Sequence, residues 1–78
     1  MVRVLRYRNY GVFVICERGE RHHLPHAHIK DRGRRIASVY LETLTVFDEI
    51  EPVPAELLEE IKESQTALLD RWEELNGD

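Results

Sequence analysis

The sequence predicts an α+β fold: a small antiparallel sheet of about four strands covered by one long C-terminal helix. Three observations predict it. Short β-branched and aromatic runs separated by turn residues fill positions 1–41. An apolar stripe at helical spacing runs from Leu57 to Leu75. The changeover occurs once, at Pro52-Val53-Pro54, so strands are followed by a helix around a single core. The 78 residues form one domain, with strands in 1–41, a connecting loop in 42–53 and the helix in 54–76.

Val2, Val4 and Leu5, interleaved with Arg3, Arg6 and Arg8, open as a strand, and Asn9-Tyr10-Gly11 turns the chain. Val12 to Glu17 is a second strand, too short and too β-branched for a helix, and pairs with the first as a hairpin. Arg18-Gly19-Glu20-Arg21 is an exposed loop. Pro25 has no ladder donor, so the third strand starts at Pro25 or His26. Strand alternation then places His26, His28 and Lys30 on one face and Ala27 and Ile29 on the other, inward. Asp31-Arg32-Gly33-Arg34 turns into a fourth strand, Arg35 to Leu41, completing a second hairpin.

Leu44, Val46, Phe47 and Ile50 fit neither period, so residues 42–53 read as a loop with a short extended piece. Pro54 suits the first helical position, and Glu56 and Glu59 complement the N-terminal dipole. Leu57, Leu58, Ile61, Leu68, Leu69, Trp72 and Leu75 form the stripe, with Trp72 as core, while Gln65 stands where an apolar residue is expected. Gly77 marks the stop.

Composition narrows the classes. The longest apolar run, Val12 to Cys16, is far below the roughly 20 residues of a membrane span, and charges at Arg3, Arg6 and Arg8 replace a signal peptide's apolar stretch. One cysteine, Cys16, excludes a disulfide within the monomer, and its apolar neighbours make it a small buried hydrophobe. Together these point to the cytoplasm. The net charge of −4 hides an asymmetry, +6 over residues 1–36 and −10 over 37–78. A basic half suits a phosphate backbone and an acidic half suits a basic partner, unless the two simply complement each other in the fold.

All four histidines lie within seven residues, at His22, His23, His26 and His28. Imidazole titrates near neutrality and is the commonest metal ligand, so this is where chemistry is expected. Three readings of the cluster stand open. His26 and His28, joined by His22 or His23 from the preceding loop, bind a transition metal such as zinc, since imidazoles two apart on a strand project the same way. Alternatively they are metal-free acid and base for RNA phosphodiester cleavage, with Lys30, Arg32, Arg34 and Arg35 holding negative charge and Tyr40 or Tyr10 adding a polar contact. In the third reading they cap a loop or form a binding surface, with no bond broken. Zinc and no cofactor at all stand as equal alternatives. Arg6, Tyr7, Arg8 and Tyr10 add rings and cations of the kind that bind nucleic acid.

Val4-Leu5-Arg6, Pro25-His26-Ala27-His28-Ile29, the Ala37 to Leu41 strand, Leu57 to Ile61 and Leu68 to Asn76 resemble the bacterial domain-of-unknown-function family 4160 over nearly the whole chain. The most specific part is the proline followed by two histidines one residue apart, with the late leucine pair and tryptophan. Leu24 stands where the family commonly has a second proline, and His23 where it has a variable polar residue. The resemblance implies a small cytoplasmic bacterial protein, often encoded beside another short protein in a toxin–antitoxin-like arrangement, and carries the family's histidine pair onto His26 and His28. The expected function is therefore a component of such a module acting through a partner protein. A ribonuclease using His26 and His28 and a metal-binding protein are the alternatives. The expected partners are the neighbouring small protein and RNA, with no membrane; the oligomeric state is open.

Overall fold

A computed structural model describes residues 2–14 and 24–76. Among these, five strands form one meander: β1 (Val2–Tyr7), β2 (Tyr10–Val14), β3 (His26–Asp31), β4 (Arg34–Tyr40) and β5 (Val46–Phe47). Strand order follows chain order, and every neighbouring pair is antiparallel. Two helices follow, α1 (Ala55–Glu63) and α2 (Gln65–Asn76), with α1 approaching β1 and α2 approaching β1 and β2. The α+β class and the antiparallel sheet are those the sequence predicts. Expectations for Cys16, residues 15–17 of the second strand, the 18–21 loop, His22, His23 and Gly77 lie outside the described residues.

Turn chemistry sets the meander. Arg32 (φ 53°) and Gly33 (φ 87°) make a two-residue turn with positive φ at both centres, whose twist suits a hairpin. Arg8 (φ 55°) bends the first hairpin, and the Arg32 N–H donates to the Asn9 carbonyl at 3.0 Å, joining the two turns. The first turn is thus at Arg8-Asn9, one step earlier than Asn9-Tyr10-Gly11 suggests. Beyond β4, the Tyr40 N–H bonds the Thr45 carbonyl at 2.8 Å and the Leu44 N–H bonds the Tyr40 carbonyl at 2.7 Å, with Leu44 at φ 62°. That tight return makes β5, a fifth strand where the sequence shows only a short extended piece.

The inward face carries Val12, Val14, Ala27, Ile29, Ala37, Val39 and Leu41, each 0% exposed, against Leu57, Ile61 and Leu68 of the helices. Two bulges tune it. Arg3 pairs with Phe13 and Leu5 with Val12, so Val4 is an extra residue; Ile29 pairs with Ala37 and Lys30 with Arg35, so Ile36 is another. Both Val4 and Leu5 pack on the core, as do Ile36 and Ala37. Each bulge sends two consecutive apolar side chains inward and leaves the adjacent arginine, Arg6 or Arg35, in register with Gly11 or Lys30 on the other face. The Ile36 carbonyl is then covered by the N–H groups of Ile50 at 2.6 Å and Glu51 at 3.2 Å.

The expected single helix is broken at Ser64 (φ −100°, ψ 10°). Its N–H is shared between the Glu60 and Ile61 carbonyls at 3.0 and 3.1 Å, and its own carbonyl accepts the Leu68 N–H at 2.9 Å, so the helices join without a loop. Gln65 explains the gap in the stripe, because its amide donates to the Leu41 carbonyl at 2.7 Å and the Glu42 carbonyl at 3.2 Å. A side chain that looks misplaced on the stripe is the tether that holds α2 to the end of β4. Pro54 is the N-cap rather than the first helical residue, and its carbonyl accepts from Leu57 and Leu58. Trp72 packs half-buried against the core.

At the other end, the Tyr7 hydroxyl donates to the Glu56 carboxylate at 2.5 Å, and Arg8 lies 3.6 Å from the same carboxylate. The hydrogen bond to Glu56, with some desolvation, raises the Tyr7 phenol above its ordinary value. No helix among the described residues is long and apolar enough to cross a membrane.

Three outcomes are expected. Leu68→Ala removes a fully buried side chain and costs about 2–5 kcal/mol in a denaturant melt. Gln65→Leu completes the apolar stripe yet lowers stability by about 1 kcal/mol, because the Leu41 carbonyl loses its donor; a gain in stability would refute the tether. In an alkaline titration, the Tyr7 contribution is present below about pH 10 and is lost as pH rises through the raised folded value. Tyr7→Phe should flatten that alkaline limb.

Candidate functional site

The sheet face opposite α1 and α2 is where the histidines project. His28 pairs with Phe13 on one side and Ser38 on the other, and Ser38 pairs with Phe47, so Phe13, His28, Ser38 and Phe47 form one row across β2 to β5. Two residues along β2 and β3, about 7 Å at strand rise, Arg6, Gly11, Lys30 and Arg35 form a second row across β1 to β4. On the far side of the first row, His26 pairs with Tyr40. Among the described open-face positions of the strands there are three cations and no acidic residue. The alternation read from the sequence, with histidines on one face and Ala27 and Ile29 on the other, holds.

The imidazoles converge. The His26 and His28 ring centroids are 5.7 Å apart at an interplanar angle of 38°. His26 is only 8% exposed, and its Nδ1 lies 2.9 Å from the Leu24 carbonyl. A carbonyl only accepts, so Nδ1 is the donor and the neutral ring carries its lone pair on Nε2. Pro25, immediately before the strand, disfavours helical geometry at Leu24, whose carbonyl is the one that meets the ring. The Phe47 and His26 rings meet edge to face, with centroids 5.9 Å apart, and Phe47 itself stacks on Tyr40 at 4.1 Å and 17°. His28 is half-buried.

The cation row borders this group. Lys30 Nζ sits 4.9 Å from the Phe13 ring centroid, a cation–π arrangement. Arg35 reaches the buried Ser38 hydroxyl at 3.5 Å, long for a hydrogen bond. Around Gly11, which offers no side chain to the row, lies an open hollow of ≈ 270 Å³ walled by Arg6, Phe13, Lys30 and Arg32. That volume is below the range of enclosed small-molecule pockets and suits a fragment of a longer ligand.

Of the six basic residues expected to bind nucleic acid, Arg6, Lys30 and Arg35 share the open face and Arg32 edges the hollow. Arg8 and Arg34 are engaged elsewhere, with Glu56 and Glu51 respectively. Tyr40 joins the histidines, whereas Tyr10 pairs with Tyr7 and packs on the core side. For the metal reading, His26 and His28 are adjacent, but among the described residues no three His, Cys, Asp or Glu side chains come together, and His23 is not among those residues. Phe13, Ser38 and Phe47 belong to the site without any sequence signal naming them. The hint for Phe13 was its alternation with Val12 and Val14, and for Phe47 the Val-Phe pair after a turn.

Comparison with family models, with curated proteins and with solved structures found no match to this chain.

Proposed function

We propose that the protein binds RNA on the open face of its sheet and cleaves a phosphodiester there without a metal, as the RNA-directed member of a cytoplasmic toxin–antitoxin-like pair. The observation that carries this reading is the placement of two converging imidazoles beside a row of three cations on a face whose described strand positions hold no acid. Such a field attracts phosphate and opposes a second positive charge, which favours an anionic ligand over a divalent metal. The family resemblance supports the module and the choice of His26 and His28.

The chemistry follows from the tautomer. Nε2 of neutral His26 takes the proton of the ribose 2′-hydroxyl while its oxygen attacks phosphorus. With the bound phosphate offsetting the cations, the imidazolium form of His28 gives a proton to the departing 5′-oxygen, so a 2′,3′-cyclic phosphate and a 5′-hydroxyl result. Lys30 and Arg35 stabilise the negative charge that builds on the phosphoryl oxygens. DNA, lacking the 2′-hydroxyl, binds without reacting.

Incubation with an RNA oligonucleotide should yield cyclic-phosphate ends in the presence of EDTA, with a bell-shaped pH profile. His26→Ala and His28→Ala should each lose about 10²–10⁴-fold in rate, with thermal melts recorded to separate chemistry from folding. Equal activity in all three proteins, or none, removes the reading.

Association with a partner protein has its own support, because the charge asymmetry of the chain is also one of space. Residues 55–76 carry seven acidic and two basic side chains, and they lie on the side opposite the cation row. A short protein encoded beside this one should form a complex that weakens with salt and with Glu59→Lys and Glu73→Lys. No complex at micromolar concentration by sedimentation would count against it.

A further inference from the structure

We infer that the ligand of the open face is an unpaired single strand laid across the strands from β2 to β5. One base stacks on Phe13, another on the Tyr40–Phe47 pair, and the phosphodiester between them lies over His26 and His28. The inference rests on the RNA-binding reading above and names the form of nucleic acid that the face takes.

The row geometry carries it. Phe13, His28, Ser38 and Phe47 follow one another through direct register pairs, so the line from ring to ring crosses His28, with the His26 ring beside it at 5.7 Å. With strands about 4.8 Å apart, β2 and β5 are separated by about 14 Å. Both platforms are half-buried; the Tyr40–Phe47 stack holds its ring orientation by mutual contact at 4.1 Å, and a base seated on Phe13 takes the place of the Lys30 ammonium that lies 4.9 Å from the ring centroid. In a duplex, each base face is already covered by the next base pair about 3.4 Å away, so rings anchored in a sheet have nothing to stack on. An unpaired strand offers free base faces and can splay two of them about the histidines.

The cation row supplies the other half of such a site. Running parallel to the aromatic row and about 7 Å from it on β2 and β3, on the side away from His26, Arg6, Lys30 and Arg35 add the positive field that draws the strand's phosphates onto the face, while the phosphodiester between the two bases lies over the histidines. The hollow over Gly11, between Arg6 and Lys30, is of a size for the phosphate or sugar next to the Phe13 base. Stacking is indifferent to base identity, so sequence preference is expected to be small.

The test is fluorescence anisotropy with a labelled single-stranded DNA of about 8 nucleotides, which cannot be cleaved by 2′-hydroxyl attack, and with the same sequence as a duplex. The single strand should bind at least about tenfold tighter than the duplex. Phe13→Leu and Phe47→Leu, which keep apolar volume and remove the flat ring, should each weaken binding about 5- to 100-fold while leaving the salt dependence unchanged. Lys30→Gln should weaken binding and lower the salt slope by about one. Tyr40→Leu serves for the second platform if Phe47→Leu does not fold. Duplex binding equal to that of the single strand, wild-type affinity in folded Phe13→Leu, or no binding of either form overturns the inference. Binding of the single strand as described with no RNA cleavage would remove only the catalytic reading. RNA cleavage with unaffected aromatic variants would remove only this one.

Discussion

Burial of one face of a five-stranded sheet beneath two short helices is the constraint from which the remaining features follow. With a single covered face, every strand has to send its apolar side chains the same way, and a slip of one residue would turn the core outward. Val12, Val14, Ala27, Ile29, Ala37 and Val39 satisfy that demand at 0% exposure. The site is the obverse of the same pattern. Whatever alternates with the core residues has to emerge on the other side, which is how His26, His28 and Lys30 come to share a surface with Phe13 and Tyr40.

The two layers also separate charge. Arg6, Lys30 and Arg35 of the first half reach the open face, while most of the acidic residues of the second half lie on the helices, and two carboxylates pair with arginines near the hairpin ends, Glu56 with Arg8 and Glu51 with Arg34. A polyanion approaching this protein is repelled from the helix side and drawn toward the sheet, so orientation is biased before contact. The surface ion pairs themselves add little to stability, being exposed and screened. Their larger effect is to remove two arginines from the pool of cations that meet a ligand.

Much of this was readable in the residue pattern, and the misses have physical causes. Alternation around Ala27 and Ile29 located the histidine pair on its face because β3 carries no extra residue of its own. β1 and β4 each contain one, at Val4 and Ile36, and a bulge cannot be seen in a period-two pattern that it interrupts. Arg6 and Arg35 therefore could be listed as basic but not placed beside Gly11 and Lys30. β5 was hidden because two residues do not make a pattern. The helix break at Ser64 was hidden for a different reason: the adjoining Gln65 bonds to the end of β4, a partner 24 residues away that no local pattern announces.

The bond between the two hairpin turns, from the Arg32 N–H to the Asn9 carbonyl, has a consequence for how this surface can change over evolutionary time. It is made by main-chain atoms alone, and the positive φ of Arg32 and Gly33 sets the turn from which it is donated. The rim of the hollow over Gly11 is therefore shaped by the backbone, while the groups that would recognise a ligand, Arg6, Phe13 and Lys30, are side chains standing on that frame. Substitution at those three positions can retune what the surface accepts without dismantling the rim, which leaves ligand preference free to drift while the scaffold stays the same.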